Sequence, residues 1–328
     1  MRVAWIFRSK KRNEHSIENI FDSIQSYVEG YEIEKYYLPE PRWNTFSSWK
    51  SNLSYSREVK ADIHHITGEV YYISSFISKR KLMITLEDLV LIDRNKGLRK
   101  LYYYVLYYGL AFFRADSIVC ISKAVKAELV KKYPFCKKKA HYVPCPVNEN
   151  FQYFEKEFNE DEPVILVVGT SYNKNVERVI AAVDGIRCKL VLVGKLNDDH
   201  KRLLLKHKVN YSNVVNIPLE DLCKLYTDCD ILCFPSLFEG FGLPIVEGQS
   251  VGRAVLTSNF DPMLEVSGGD DCACLVDPYD TESIRTGLLR IINDKDYREK
   301  LIENGLKNAL RYQPKRVARM YTKLYERL

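Results

Sequence analysis

Short, mostly apolar runs alternate with helix-spaced segments through the second half of this 328-residue chain. The runs lie at 164–168, 189–193, 214–217, 231–234 and 254–257. They are too short to be helices, and the first two lack the in–out alternation of a half-exposed strand. A strand apolar on nearly every side chain must be covered on both faces, and parallel sheets flanked by helices provide that cover. Helices are predicted at 175–183, 198–206 and 219–226, from Leu243 onward, and at 281–292, 296–310 and 314–328. The first half repeats the pattern, with strands at 3–7, 61–66, 81–86, 117–121 and 141–143 and helices at 16–28, 98–113 and 123–133. The length suits two domains. The expected fold is α/β, with two Rossmann-like domains whose parallel sheets face each other. Pro144-Cys145-Pro146 and the charged stretch 155–162 mark the linker, so the domains are placed at 1–150 and from 151 onward.

Composition removes several classes. Hydrophobic residues are 46% and charged residues 28%, which excludes disorder and collagen. The longest apolar run, 101–113, carries five tyrosines and is shorter than the about 20 residues of a membrane span. Residues 1–7 lead straight into a basic stretch and do not form a signal peptide, so a cytoplasmic location is expected. Nine cysteines show no regular spacing and read as reduced, mostly buried thiols. Residues 1–150 hold 25 Lys and Arg against 16 Asp and Glu, whereas residues 151–328 hold 24 against 27. A basic first half suits a phosphate-bearing acceptor, an anionic membrane surface at its cytoplasmic face, or nucleic acid.

The segment Pro235-Ser236-Leu237-Phe238-Glu239-Gly240-Phe241-Gly242-Leu243-Pro244-Ile245-Val246-Glu247 carries the most chemistry. A buried strand runs into a glycine loop, and a helix starts near Leu243 with proline in its first turn. Ligands of open α/β sheets sit beyond the carboxyl ends of the strands. Backbone N–H groups at a helix start attract a diphosphate, and glycines let it approach. Glu239 and Glu247 flank that position and can accept hydrogen bonds from sugar hydroxyls. An ordinary loop with two surface glutamates would leave the glycines without a purpose.

This segment resembles the Glu-x7-Glu signature of retaining glycosyltransferases of family 4, which have the GT-B fold. Val168-Gly169-Thr170-Ser171-Tyr172-Asn173-Lys174-Asn175, Leu192-Val193-Gly194-Lys195 and 115–122 are similar to further family segments, and 65–70 resembles a bacterial polysaccharide subgroup. The resemblance implies a nucleoside-diphosphate-sugar donor and a glycan or polyprenyl-diphosphate-linked acceptor. It implies that Glu239 contacts the transferred sugar, that Gly240, Phe241, Gly242 and Leu243 form the sugar and diphosphate loop, and that Glu247 holds the ribose. Lys174 would neutralise the diphosphate, with Gly169, Thr170 and Gly194 lining the donor site. Neither a divalent metal nor another cofactor is expected, because a lysine and a helix start can carry the charge. The resemblance also implies that the last helix, 314–328, packs back on the first domain, leaving 151–313 as the donor domain.

Two positions depart from the family pattern. Thr170 stands where many relatives have arginine, and Glu87 where many have a histidine near the reacting sugar. Glu87 is therefore a catalytic candidate of altered charge. His65 and Arg12, the latter in the basic loop 8–16, are acceptor-side candidates. Asp228-Cys229-Asp230 matches a metal-binding Asp-x-Asp, but it precedes a strand, at the wrong end of the sheet for a ligand. A nicotinamide enzyme would need Gly-x-Gly-x-x-Gly after a first strand, which neither half has. Other readings are a nucleotide-sugar epimerase or hydrolase and a sugar-binding module. Only the basic half speaks for nucleic acid, and none is expected as a partner.

Overall fold

The computed structural model describes residues 1–11, 16–41, 45–77 and 81–328, which form two compact units. The first comprises Met1–Pro146 together with Pro314–Leu328, and the second Val147–Gln313. Arg12, an expected acceptor-side residue, lies outside the described residues.

The first unit holds six parallel strands: β1 (Arg2–Phe7), β2 (Glu32–Tyr37), β3 (Ile63–Ile66), β4 (Leu82–Leu86), β5 (Ser117–Cys120) and β6 (Ala140–Tyr142). Their order is β2-β1-β3-β4-β5-β6. The second unit holds β7 (Val164–Val168), β8 (Lys189–Val193), β9 (Tyr211–Val214), β10 (Ile231–Phe234), β11 (Ala254–Ser258) and β12 (Cys274–Val276). Their order is β12-β11-β10-β7-β8-β9, again parallel throughout. In both sheets the chain builds outward on one side of the first strand and then returns to its other side. That reversal leaves a crevice at the strands' carboxyl ends, between β1 and β3 and between β7 and β10.

Each unit has its own apolar core. In the second, Ile165, Val167, Leu190, Leu192, Ile231, Cys233 and Leu256 pack against helical residues such as Val179, Ile284 and Leu288. In the first, Val3, Trp5 and Phe7 of β1 lie under the helix Ser16–Gln25 and the last helix, Pro314–Tyr325. Val317, Ala318, Tyr321, Leu324 and Tyr325 are the buried face of that last helix. Trp5 Nε1 donates to Tyr325 Oη at 2.9 Å. The same oxygen lies 2.7 Å from His65 Nδ1, and His65 Nε2 lies 2.8 Å from Thr85 Oγ1. Indole only donates, and a neutral imidazole carries one N–H, so one His65 nitrogen donates and the other accepts. Burial lowers the His65 pKa to about 3, so the ring stays neutral.

Some elements differ from the sequence expectation. The predicted helix 98–113 is a continuous stretch of three parts: Gly97–Tyr102, a π-helical segment Tyr103–Gly109, and Leu110–Arg114. A Cβ on Gly109 would lie 2.8 Å from the Tyr104 carbonyl oxygen, so the wide turn needs glycine there. The strand expected at 214–217 is Tyr211–Val214. It is an edge strand with little apolar signal. β2 and the helix Phe46–Glu58 were not expected at all.

Candidate functional site

In the second unit, the loops after β7 and β10 meet at the reversal point. Gly169 has φ +92°, which folds the loop so that Lys174 lies over it; a Cβ there would come within 2.9 Å of the lysine side chain. Asn175 follows in a left-handed conformation. Its side-chain amide donates to the Pro235 and Pro278 carbonyls at 3.0 and 2.7 Å, clamping the β7 loop to the loops after β10 and β12. Lys174 Nζ then reaches Glu239 Oε1 at 2.5 Å and sits 4.5 Å from the centroid of the Phe234 ring. Asn173 Nδ2 donates to the same carboxylate oxygen at 3.0 Å and to the Phe238 carbonyl at 3.1 Å. Sequence reasoning gave Asn173 and Phe234 no role, since their part depends on how two distant loops meet.

The glycine loop delivers the helix Leu243–Ser250. Gly242, at φ +105°, is its N-cap, and a Cβ there would approach Ile245 Cδ1 at 3.1 Å. Phe241 is buried, its ring edge-on to Tyr312 at 5.6 Å. This pins the loop so that its backbone, rather than this side chain, borders the crevice. Glu247 accepts from Tyr226 Oη at 2.5 Å. Burial lifts its carboxyl to about 7, against the opposing pull of that hydroxyl and of Lys174. Thr170 Oγ1 donates to the Lys195 carbonyl at 2.8 Å, and Gly194 leaves room for it, since a Cβ there would lie 2.7 Å from Thr170 Oγ1. Thr170 thus ties the β7 and β8 loops together. Asp230 is occupied elsewhere: it accepts from the Val164 and Asn159 amides at 2.7 and 3.1 Å and pairs with Lys156.

The first unit has a cavity of about 390 Å³ at its own reversal point, lined by Arg8, Glu69, Glu87, Asp88 and tyrosines including Tyr71 and Tyr107. Arg8 follows β1 and is buried; it bonds Glu18 Oε1 at 3.3 Å and Glu69 Oε2 at 3.1 Å. Glu69 holds φ +48°, and the Val70 amide reaches back to the Gly68 carbonyl at 2.6 Å. A three-residue turn of this kind is strained and persists only where its surroundings hold it. The Tyr107 hydroxyl donates to the Glu69 carbonyl and helps to do so. Glu87 lies against this turn, 2.5 Å from where a Gly68 Cβ would be. Burial, then Glu69 and Asp88, push its carboxyl well above the usual range, opposed by Arg8. His65 is fully buried with both ring nitrogens hydrogen-bonded, so it presents nothing to the cavity. Arg8, legible only as one residue of a basic loop, is the described cation at this place.

The fold and the crevice at each sheet define the GT-B class of two-unit Rossmann-like proteins. HepE of Anabaena, solved in complex with UDP and glucose, superposes with a TM-score of 0.80 at 14% identity, covering 100% of both chains. Sucrose-phosphate synthase from Thermosynechococcus elongatus gives 0.78 at 16%, covering 100% of this chain and 98% of that one. The chain belongs to the group 1 glycosyl transferases: residues 148–308 match the model described as Glycosyl transferases group 1, and residues 6–151 match Glycosyltransferase Family 4. An uncharacterized glycosyltransferase of Methanocaldococcus jannaschii is 28% identical over 223 residues, 61% of this chain and 57% of that protein. The serotype-specific mannosyltransferase WbdA of Escherichia coli is 25% identical over 241 residues, 66% of this chain and 29% of that protein. The chain therefore spans little more than half the length of the first relative and under a third of the second.

Proposed function

We propose that this chain moves a sugar from a nucleoside-diphosphate sugar to a hydroxyl of a glycan or lipid-linked glycan in bacterial surface polysaccharide synthesis, with retention at the anomeric carbon. The observation that carries the reading is the Lys174–Glu239 pair at the β7–β10 crevice, with Glu247 in the helix beside it. A lysine held by one carboxylate is a cation in waiting. A diphosphate entering over the start of helix Leu243–Ser250 would draw Lys174 to itself and free Glu239 to accept from a sugar hydroxyl. Glu247 would accept from the ribose hydroxyls. As the glycosidic bond breaks, Lys174 and the helix N–H groups take up the charge developing on the leaving diphosphate. The acceptor hydroxyl would attack from the same face and lose its proton to that phosphate.

The likeness to the mannosyltransferase WbdA supports transfer of a sugar, and HepE, solved with UDP and glucose, supports a nucleotide-linked donor. The tyrosine-lined cavity of the first unit suits an acceptor saccharide, with Glu87 toward an acceptor or sugar hydroxyl rather than the phosphates. A thermal-shift series over UDP, GDP and other nucleotide sugars tests the reading, since a ligand that binds only the folded state stabilises it by about 2.7 kcal/mol at a hundredfold excess over Kd. One of them should raise the melting temperature, and no response to any would sink the proposal. Transfer should also survive excess chelator. Loss restored by manganese would return attention to Asp228 and Asp230.

A further inference from the structure

The helical stretch 97–114 carries apolar side chains on both its inner and its outer face. Tyr107, Tyr108, Ala111 and Phe112 face the body of the first unit. Turned to solvent are Leu98, Leu101, Val105, Leu106, Leu110 and Phe113, with Leu98 86% and Phe113 75% exposed. They recur at spacings of three and four, as Leu98–Leu101–Val105 and Leu106–Leu110–Phe113, and so form a stripe along the helix. Phe135 extends it, exposed and edge-on to Phe113 at 6.4 Å. The outer face of a helix on a water-soluble body is normally polar. Here the helix cannot roll to hide the stripe. The Tyr104 ring stacks on Tyr133 at 4.6 Å, the Tyr133 hydroxyl donates to the Tyr104 carbonyl at 2.6 Å, and Arg114 donates to the Ser74 and Ile77 carbonyls, each at 2.9 Å.

Charge selects the occupant. Residues 94–139 hold twelve Lys and Arg against two Asp and Glu, a surplus larger than the +6 of the whole chain. Lys96 just before the helix, Arg99 and Lys100 on it, and Lys137 and Lys138 beside Phe135, are exposed around the stripe. A second copy would bring the same positive rim against itself. Nucleic acid would satisfy the lysines and leave the leucines in water. An anionic bilayer surface accepts both, taking apolar side chains at the acyl boundary and basic ones among the headgroups. Among the described residues no helix is long and apolar enough to cross a membrane, so the contact would be peripheral. We propose that this face docks the first unit on an anionic membrane surface. The inference stands independently of the transfer reaction.

Co-sedimentation of the intact protein with vesicles tests it, using phosphatidylcholine alone and phosphatidylcholine in which a third of the lipid is phosphatidylglycerol. The wild type should bind the anionic vesicles only and be released by high salt. Lys100→Gln and Lys138→Gln should each weaken binding about fivefold, equivalent to about 1 kcal/mol per basic residue. The combination Leu98→Ser, Leu106→Ser, Phe113→Ser should abolish binding without lowering the melting temperature. Wild-type protein that stays in solution would overturn the proposal. So would binding indifferent to salt and to both charge substitutions. A dimer that the serine variant abolishes, without vesicle binding, would assign the face to a second copy instead.

Discussion

Opposing influences meet on Glu247. Burial raises its carboxyl to about 7, while the Tyr226 hydroxyl and Lys174 favour the ionised form. The ordinary value is 4.5, so between 4.5 and about 7 the folded protein binds more protons here than the unfolded chain does. Stability from this group is therefore present in acid and lost as pH rises through about 7, by about 3 kcal/mol at most. Glu247→Gln should flatten that slope in denaturant titrations run at several pH values. On the proposed reading, in which Glu247 accepts from the ribose hydroxyls once ionised, the affinity of the wild type for a nucleotide sugar should rise between pH 6 and 8, and the glutamine variant should lose the rise. Calorimetry showing a pH-independent affinity would remove Glu247 from the ribose. Glu87 carries the same sign of shift, from burial first and then from Glu69 and Asp88. Glu87→Gln should therefore be at least as stable as the wild type above neutral pH. If Glu87 contacts the reacting groups, the variant should also cut kcat more than it changes donor KM. Wild-type turnover would leave Glu87 a structural neighbour of Arg8. The glutamates and Lys174 were visible as residue types in a motif. Tyr226, Asn173 and Phe234 were not, because what makes them neighbours is strand order, and no local pattern encodes that.

At the scale of elements, legibility followed burial. β7, β8 and β10 are central strands covered on both faces, and their apolar runs announced them. β2 reads Glu-Ile-Glu-Lys-Tyr-Tyr, half-exposed at a sheet edge, and offers no such run. The helix Phe46–Glu58 has serine and charge on most faces; its start is set by Thr45, whose side chain accepts from the Ser48 amide. The last helix is the opposite case: Val317, Met320, Tyr321 and Leu324 recur at helical spacing, and all are buried but Met320, which is half-buried against the same core. What spacing could not show is that Tyr325 is polar at its tip and joins Trp5 to His65. Tyr325→Phe should leave an indole N–H and an imidazole nitrogen without partners in the core. The expected cost is about 1–3 kcal/mol in chemical denaturation. An unchanged midpoint would mean that water replaces the hydroxyl.

At the scale of the whole molecule, the two units differ in how the chain composes them. The second is a single continuous segment, Val147–Gln313, and the chain enters and leaves it at one place, where the Val147 amide donates to the Tyr312 carbonyl at 2.8 Å. The first is assembled from both sides of that segment, and its β1 core is covered in part by residues 317–325.

Synthesis runs in one direction, so this arrangement reverses the usual order of maturation, in which the N-terminal domain closes first. Strands β1 to β6 emerge early, yet Trp5 and its neighbours must wait for a helix made more than 300 residues later. The internal unit has all its parts first. Ribosome-stalled chains should show it: with a spacer that clears the exit tunnel, a chain ending at Gln313 should resist brief proteolysis across 147–313 and be cut within 1–146. A chain carried through Leu328 should resist in both. Equal protection of 1–146 in the shorter chain would show that the early strands close without their last helix.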